Sequence, residues 1–120
     1  MSKEIRTEAV DNFFKAILTL RDQEECYRFF EDVCTMNEIM SISQRYEVAR
    51  MLTEGQTYNE IAEHTGASTA TISRVNRALL YGKDGYKLVF DRLTDHLNEG
   101  LADHPAEGLV DHPTEGITEG

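Results

Sequence analysis

Residues 57–81, which begin TYNEIAEHTGASTATISRVNR, carry the most informative spacing of the chain. Thr57 followed three residues later by Glu60 is a capping-box pattern, which begins a helix. Gly66 can adopt the positive φ that ends a helix in a sharp turn. Ser68 is a natural N-cap for a second helix. Two short helices joined by a glycine turn predict a helix-turn-helix over these residues.

The second of these helices would expose side chains that suit DNA. We expect Ile61, Ala62, Ile72 and Val75 to face inward, with Ala62 small because the helices cross closely there. The other face then carries short hydroxyl, methyl and guanidinium groups, which match base edges and phosphates in the major groove. The alternative is an ordinary helical hairpin that exposes hydroxyls. The candidate DNA-binding residues are Thr57, Asn59, Ser68, Thr69, Ala70, Thr71, Ser73, Arg74 and Arg77.

The charge distribution decides whether DNA is an acceptable partner. The chain has 120 residues and a net charge of −10, and an acidic protein repels phosphates. Residues 1–93, however, hold all 12 basic residues and 15 acidic ones, so their net charge is −3. From His64 to Lys83 there are three basic residues and no acidic one. The acidity therefore lies mostly outside the predicted helix-turn-helix.

Residues 94–120 form an acidic repeat segment with no Lys or Arg. Asp-His and Glu-Gly each recur with a period of eight, most clearly in EGLADHPA and EGLVDHPT. Glycine and proline in each of these units predict a disordered extension. Such an extension could aid solubility or compete with DNA for a basic face. Loose binding of a divalent metal by its His-Asp pairs is a weaker alternative, so we expect no metal site.

The two cysteines and the apolar runs indicate an ordinary cytoplasmic protein. Cys26 and Cys34 lie eight residues apart on one predicted helix, too far for a disulfide between them, and belong to no metal-binding pattern. We expect both to be buried in a reducing compartment. The N-terminus has no apolar signal core, and no run is long enough to cross a membrane.

Apolar residues recur with helical spacing along residues 1–93, and no segment alternates with a period of two. In the third helix, the expected inward residues are Ile39, Ile42, Tyr46, Ala49 and Leu52, with Val48 and Met51 beside them. This length fits one all-α domain followed by the repeat segment. The six expected helices span about residues 4–20, 22–34, 35–55, 58–65, 68–81 and 86–98.

Most of the aromatic residues lie outside the helix-turn-helix, in the first two helices and the last one. One domain of this size can hardly cover all of them. Helix-turn-helix proteins commonly dimerise so that two recognition helices meet successive turns of the major groove. We therefore expect a homodimer bound to double-stranded DNA. The aromatic residues concerned are Phe13, Phe14, Tyr27, Phe29, Phe30, Tyr86 and Phe90.

The helix order and the string LTEGQTYNEIAEHTGASTATISRVNRALL resemble the Trp repressor superfamily, and most closely its smaller YerC/YecD-type branch. The similarity spans about residues 7–93, and GASTATISR is its most specific part. The resemblance implies an intertwined, all-helical homodimer whose N-terminal helices interlock. It also implies that the second helix of the motif enters the major groove.

The resemblance also implies an effector pocket. Thr35 falls at a position that contacts an amino-acid effector, and Arg45 and Arg74 fall where two arginines enclose the indole ring. Val75 replaces a glycine that lets the ring lie flat, and Ala78 replaces a serine that binds the amino group. L-Tryptophan is therefore not the expected effector. Alternatively, the two arginines serve ion pairs or phosphate contacts, and no cofactor is expected.

The sequence thus predicts a sequence-specific DNA-binding transcriptional regulator, expected to be a repressor. A second hypothesis is a protein-interaction module whose helix-turn-helix does not contact DNA, which the overall acidity favours. An enzyme is not expected, because His64 is the only histidine outside the repeat segment and no nucleophile–base pair or phosphate loop is present.

Overall fold

The structure is a computed structural model that describes residues 4–103, with side chains through Leu97. Over this range the chain forms six helices and no strand, which confirms the all-α prediction. None of these helices is long and apolar enough to cross a membrane. The helices are α1 (Glu8–Ile17), α2 (Gln23–Val33), α3 (Met36–Thr53), α4 (Tyr58–Thr65), α5 (Thr69–Tyr81) and α6 (Gly85–Asp103).

The chain divides into two compact units between Ser43 and Gln44, inside α3. In the first unit, α1 and α2 meet through phenylalanine rings. The ring centroid of Phe13 lies 6.0 Å from that of Phe29, which lies 5.4 Å from that of Phe30. No residue of α1 or α2 is fully buried, however. The aromatic contacts therefore hold the hairpin together without enclosing a core.

The first unit departs from the sequence expectations at its cysteines and at α1. Cys26 is exposed and Cys34 is half-buried, so the prediction that both are buried is wrong. Both line an open groove of about 780 Å³ between α2 and the start of α3, and an open groove leaves its walls accessible to solvent. Helix α1 begins only at Glu8, because the Thr7 hydroxyl accepts a hydrogen bond from the Val10 amide (3.2 Å) and caps the helix there.

The second unit contains the core of the protein. Buried apolar residues come from α3, α4, α5 and the turn between α4 and α5, and Tyr86 and Phe90 of α6 pack against them. The prediction for α3 was partly wrong, because Ile42 is 52% exposed while Val48 and Met51 are buried. Apolar residues occur on several sides of α3, so spacing alone does not select one face. The core residues are Val48, Ala49, Met51, Ile61, Ala67, Ile72 and Val75.

Helix α6 continues to Asp103, beyond the boundary at residue 94 where the sequence predicted a disordered segment. The sequence also predicted a last helix to about residue 98, which is confirmed, and the expected disorder is contradicted by a helix that continues five residues further, to Asp103. The sequence explains the difference, because the first proline of the repeat is Pro105. A proline disfavours helical geometry in the residue before it, so the helix is free to continue until just short of that point. Residues 104–120, with the remaining repeats, lie outside the described residues.

Gly66 offers a test of the turn between α4 and α5. Its φ of +74° is a left-handed conformation that costs a residue with a side chain about 1–2 kcal/mol. We expect Gly66→Ala to lower the free energy of unfolding by about that amount. Gly85→Ala is the matched control, since Gly85 lies in a helix, has no positive φ and has open space around its Cα. Urea unfolding at one protein concentration measures both changes, and equal losses would contradict the assignment.

Candidate nucleic-acid interface

Helix α4 begins and ends through the interactions that the sequence predicted. The Thr57 hydroxyl accepts a hydrogen bond from the Glu60 amide (3.1 Å), and the Glu60 carboxylate accepts one from the Thr57 amide (2.9 Å). Gly66 ends the helix in the left-handed conformation, and its amide donates to the Ala62 carbonyl (2.9 Å). The capping box and the glycine turn are thus both confirmed.

The turn that leads to α5 is held by hydrogen bonds that the sequence did not reveal. The Thr65 hydroxyl donates to the Ile61 carbonyl (2.8 Å) and accepts from the Ala67 amide (3.1 Å). The side-chain amide of Gln44 on α3 donates to the Thr65 carbonyl (3.1 Å). These bonds satisfy polar backbone groups on both sides of Gly66 and tie the turn to α3. The direction in which α5 leaves the turn is therefore constrained.

Burial on one side of α5 determines which side chains it exposes. Ile72 and Val75 are buried, and Leu79 packs against the core. Val75 and Leu79 follow Ile72 by three and seven residues, so the three side chains lie along one helical stripe. The predicted inward positions Ile61, Ile72 and Val75 are thus confirmed, and Ala62 is half-buried against the core. The predicted interface residues are exposed or half-buried. Exposed are Thr57, Asn59, Ser68, Thr69, Ala70, Arg74 and Arg77, and half-buried are Thr71 and Ser73.

The hydroxyl groups of this face differ in how far the fold already uses them. The Ser68 hydroxyl accepts from the Thr71 amide (3.1 Å), which caps α5, and donates to the Thr71 hydroxyl (3.1 Å). Among the described residues, Thr69 and Ser73 form no side-chain hydrogen bond. Thr69 and Ser73 are consequently the hydroxyls most available to an external partner, a distinction that residue types alone did not give.

The basic residues of the second unit also fall into two groups. Arg50 pairs with Glu47 and Glu54 (2.6 Å to Glu54), and Lys87 pairs with Asp91 (2.7 Å). Arg74 and Arg77, by contrast, form no ion pair with any residue that the structure describes. An unpaired guanidinium on an exposed helix can bind a phosphate without first losing another partner. The unpaired positive charge of the motif is thus concentrated on α5.

The effector residues implied by the resemblance are distributed over both units. Thr35, in the first unit, exchanges hydrogen bonds with Glu38 in a capping box, at 2.8 and 3.1 Å. Arg45 and Arg74 lie in the second unit, half-buried and exposed respectively. Val75, which replaces the expected glycine, is only 2% exposed and belongs to the core. Its side chain therefore has a structural role that a glycine would not fill.

Taken together, the fold and this face define an all-helical protein with a helix-turn-helix whose second helix is exposed and basic. The chain belongs to the Trp repressor family, since the family model described as Trp repressor protein matches residues 8–94. This family is one of regulators rather than enzymes.

Individual relatives agree with this assignment and confirm the resemblance to the YerC-type branch. The chain is 58% identical over 92 residues to the uncharacterised protein YerC of Bacillus subtilis, covering 77% of this chain and 88% of that protein. It is 35% identical over 71 residues to a Trp operon repressor homolog of Chlamydia trachomatis serovar D, covering 55% and 76%. The crystal structure of a TrpR-like protein from Eubacterium eligens superimposes with a TM-score of 0.74 at 66% identity, covering 75% and 93%.

The ion pair between Arg50 and Glu47 on α3 predicts that the stability of the protein depends on pH. The hydrogen bond from Arg50 lowers the pKa of Glu47 below its ordinary value of 4.5, despite partial burial. A carboxylate whose pKa is lowered by folding stabilises the protein above about pH 4.5, and this contribution is lost as the pH falls through the folded-state pKa. We expect Glu47→Gln to lower the free energy of unfolding at neutral pH and to have a smaller effect near pH 3, where protonation of Glu47 weakens the ion pair.

Unfolding of both proteins by urea at the two pH values measures this difference. Glu63→Gln is the matched control, because Glu63 is exposed on α4 and has no ion pair within the described residues. An equal loss of stability at both pH values would show that Glu47 acts through packing rather than through charge.

Proposed function

We propose that this protein is a sequence-specific, DNA-binding transcriptional regulator, expected to be a repressor, in which α5 enters the major groove. The observation that carries the proposal is the exposed face of α5, where Arg74 and Arg77 have no ion pair within the described residues. No acidic residue occurs between His64 and Lys83 to oppose a phosphate. Membership of the Trp repressor family supports the same function.

Within this proposal the interface residues divide by the part of DNA that they contact. Thr57, Asn59 and Arg77 position the phosphate backbone, while Arg74 contacts either phosphates or bases. Thr57 and Asn59 lie at the start of α4, where backbone amides and the helix dipole favour an anion. Ser68 caps α5 and orients its first turn. The residues that would read base edges are Thr69, Ala70, Thr71 and Ser73.

We further propose that the protein acts as a homodimer in the cytoplasm. Several large apolar side chains of the first unit are exposed in the single chain, including Tyr27 (58%), Met36 (78%) and Met40 (61%). Tyr27, Met36 and Met40 line the groove beside α2, and an exposed apolar surface of this kind commonly marks a protein interface. A two-fold dimer would present two copies of α5 to half-sites about 34–36 Å apart on DNA.

Binding of a small-molecule effector is a separate property from binding of DNA. The residues that the resemblance implies for an effector are Thr35, Arg45 and Arg74. The buried Val75 occupies the position where a flat ring would need a glycine, and Ala78 has no hydroxyl to hold an ammonium group. The proposed function therefore does not include L-tryptophan as the effector.

Selection of genomic fragments by the purified full chain tests the function directly. We expect the full chain to enrich an inverted repeat with half-sites about 10 base pairs apart, because a two-fold dimer reads both halves identically. Binding should weaken steeply as salt rises, since phosphate contacts release counterions. Failure to enrich any sequence would favour the protein-interaction module instead.

Reversal of one charge on α5 tests whether this helix faces DNA. Arg77→Glu should weaken binding to all sequences alike, by about tenfold or more, and should lower the slope of log affinity against log salt by about one. Arg92→Glu is the matched control, because it makes the same charge change at an exposed position of α6. Fluorescence anisotropy at several salt concentrations measures both variants. Wild-type binding by Arg77→Glu would contradict the placement of α5.

Removal of single hydroxyls tests the reading of bases. Thr69→Ala and Ser73→Ala should each lower the affinity for the selected site by about 1–3 kcal/mol and relax the preference at one base pair. Their affinity for unrelated DNA should stay unchanged, because phosphate contacts remain. Thr53→Ala is the control, since the Thr53 hydroxyl donates to the Ala49 carbonyl (2.9 Å) within α3. If both α5 variants keep full sequence preference, these hydroxyls do not read bases.

A further inference from the structure

The acidic residues at the end of the chain follow a period that the proposed function does not explain. From Asp91 to Glu119 an acid occurs at every fourth position, and the first of these positions lie on α6. Like charges four residues apart on a helix repel each other and destabilise it slightly. Asp91 is compensated by Lys87, but Asp95 has no ion pair among the described side chains. Helix stability therefore does not account for this pattern.

The exposed face of α5 has the opposite charge and lies in the same unit. Arg74 and Arg77 occupy this face without an ion pair in the described residues, and Lys83 follows shortly after the helix. Acidic positions repeated at short intervals resemble the regular negative charge of a nucleic-acid backbone. The two parts of the chain are thus complementary in charge, and α5 would bind carboxylates by the same contacts that would bind phosphates.

The length of the chain allows these two parts to meet. Along the intervening chain, Arg77 lies no more than about 50 Å from Asp103, counting helical rise and an extended connection. A segment of 16 residues, the number from 104 to 119, spans at most about 55 Å. Beyond Asp103, an extended chain reaches about 14 Å at Glu107, about 41 Å at Glu115 and about 55 Å at Glu119. Glu119 can therefore reach α5 of the same chain even at the greatest separation, and the acids before it reach α5 at progressively smaller separations.

We propose that residues 104–119 bind the basic face of α5 through their carboxylates, chiefly those of Glu115 and Glu119, in competition with DNA. The competition rests on the proposed function, whereas the contact itself does not. Because the segment is tethered to the same chain, its effective concentration near α5 is in the millimolar range. A few exposed ion pairs are individually weak, so the segment reduces DNA affinity without abolishing it. The segment lowers the affinity for non-specific DNA more than the affinity for an operator, because non-specific binding depends on phosphate contacts alone.

A full-length chain with a neutral repeat segment tests the contact. Glu107→Gln, Asp111→Asn, Glu115→Gln and Glu119→Gln together remove the charge and keep the length. The charge-conserving control combines Glu107→Asp, Asp111→Glu, Glu115→Asp and Glu119→Asp. In amide NMR spectra of the free proteins at about 50 mM salt, the neutral variant should shift signals of Thr69–Arg77 relative to wild type. The control should match wild type, and the difference should disappear at about 0.5 M salt.

DNA affinity provides the second measurement. The neutral variant should bind non-specific DNA about threefold to tenfold more tightly at about 50 mM salt, and the gain should fall towards none as salt rises. Unchanged α5 signals would overturn the proposal, even if affinity rose, because long-range repulsion alone would then explain the gain. Shifted α5 signals without any DNA binding would support the contact while refuting the proposed function.

Discussion

Burial of one side of α5 is the constraint on which the interface depends. Ile72 and Val75 are held in the same core as Val48 and Ile61. Successive residues of a helix are 100° apart, so a rotation of α5 by one position would turn Ser73 or Arg74 towards the core. Burying an unpaired guanidinium costs far more free energy than an ion pair on a protein surface contributes. The apolar stripe therefore fixes which polar side chains face outward, although none of its residues would touch DNA.

The charges of the second unit are arranged consistently with this constraint. The Arg50 guanidinium lies between Glu47 and Glu54 on α3, and Lys87 is paired with Asp91 on α6. These pairs neutralise Arg50 and Lys87, whereas Arg92 of α6 has no ion pair among the described residues. On α5 the absence of acidic residues leaves Arg74 and Arg77 without such a pair among the described residues. The net charge of −10 consequently says little about what α5 can bind, because attraction at short range depends on the local distribution.

Local signals in the sequence were sufficient for much of the fold. Thr57, Gly66 and Ser68 could be assigned because caps and left-handed turns depend on residues within one helical turn. Burial was harder to predict, since it depends on which elements pack together. Ile42 has the spacing of a core residue but is exposed, and Cys26 lines an open groove. The hydrogen bonds from Gln44 to Thr65 and from Ser68 to Thr71 need coordinates, because they depend on side-chain geometry that residue types do not encode.

The position of Val75 connects stability with regulation. In this chain the residue fills the core, so a glycine there would leave a cavity and a loss of packing. A flat effector ring would thus require a glycine at position 75, whereas the core requires the valine that is present. Regulation of α5 by a flat effector bound at position 75 is accordingly disfavoured. Control by charge has no such conflict, because carboxylates from residues 104–119 would act on the outward face of α5 and leave the core unchanged. The response would then follow ionic strength and competing polyanions rather than the concentration of an aromatic amino acid.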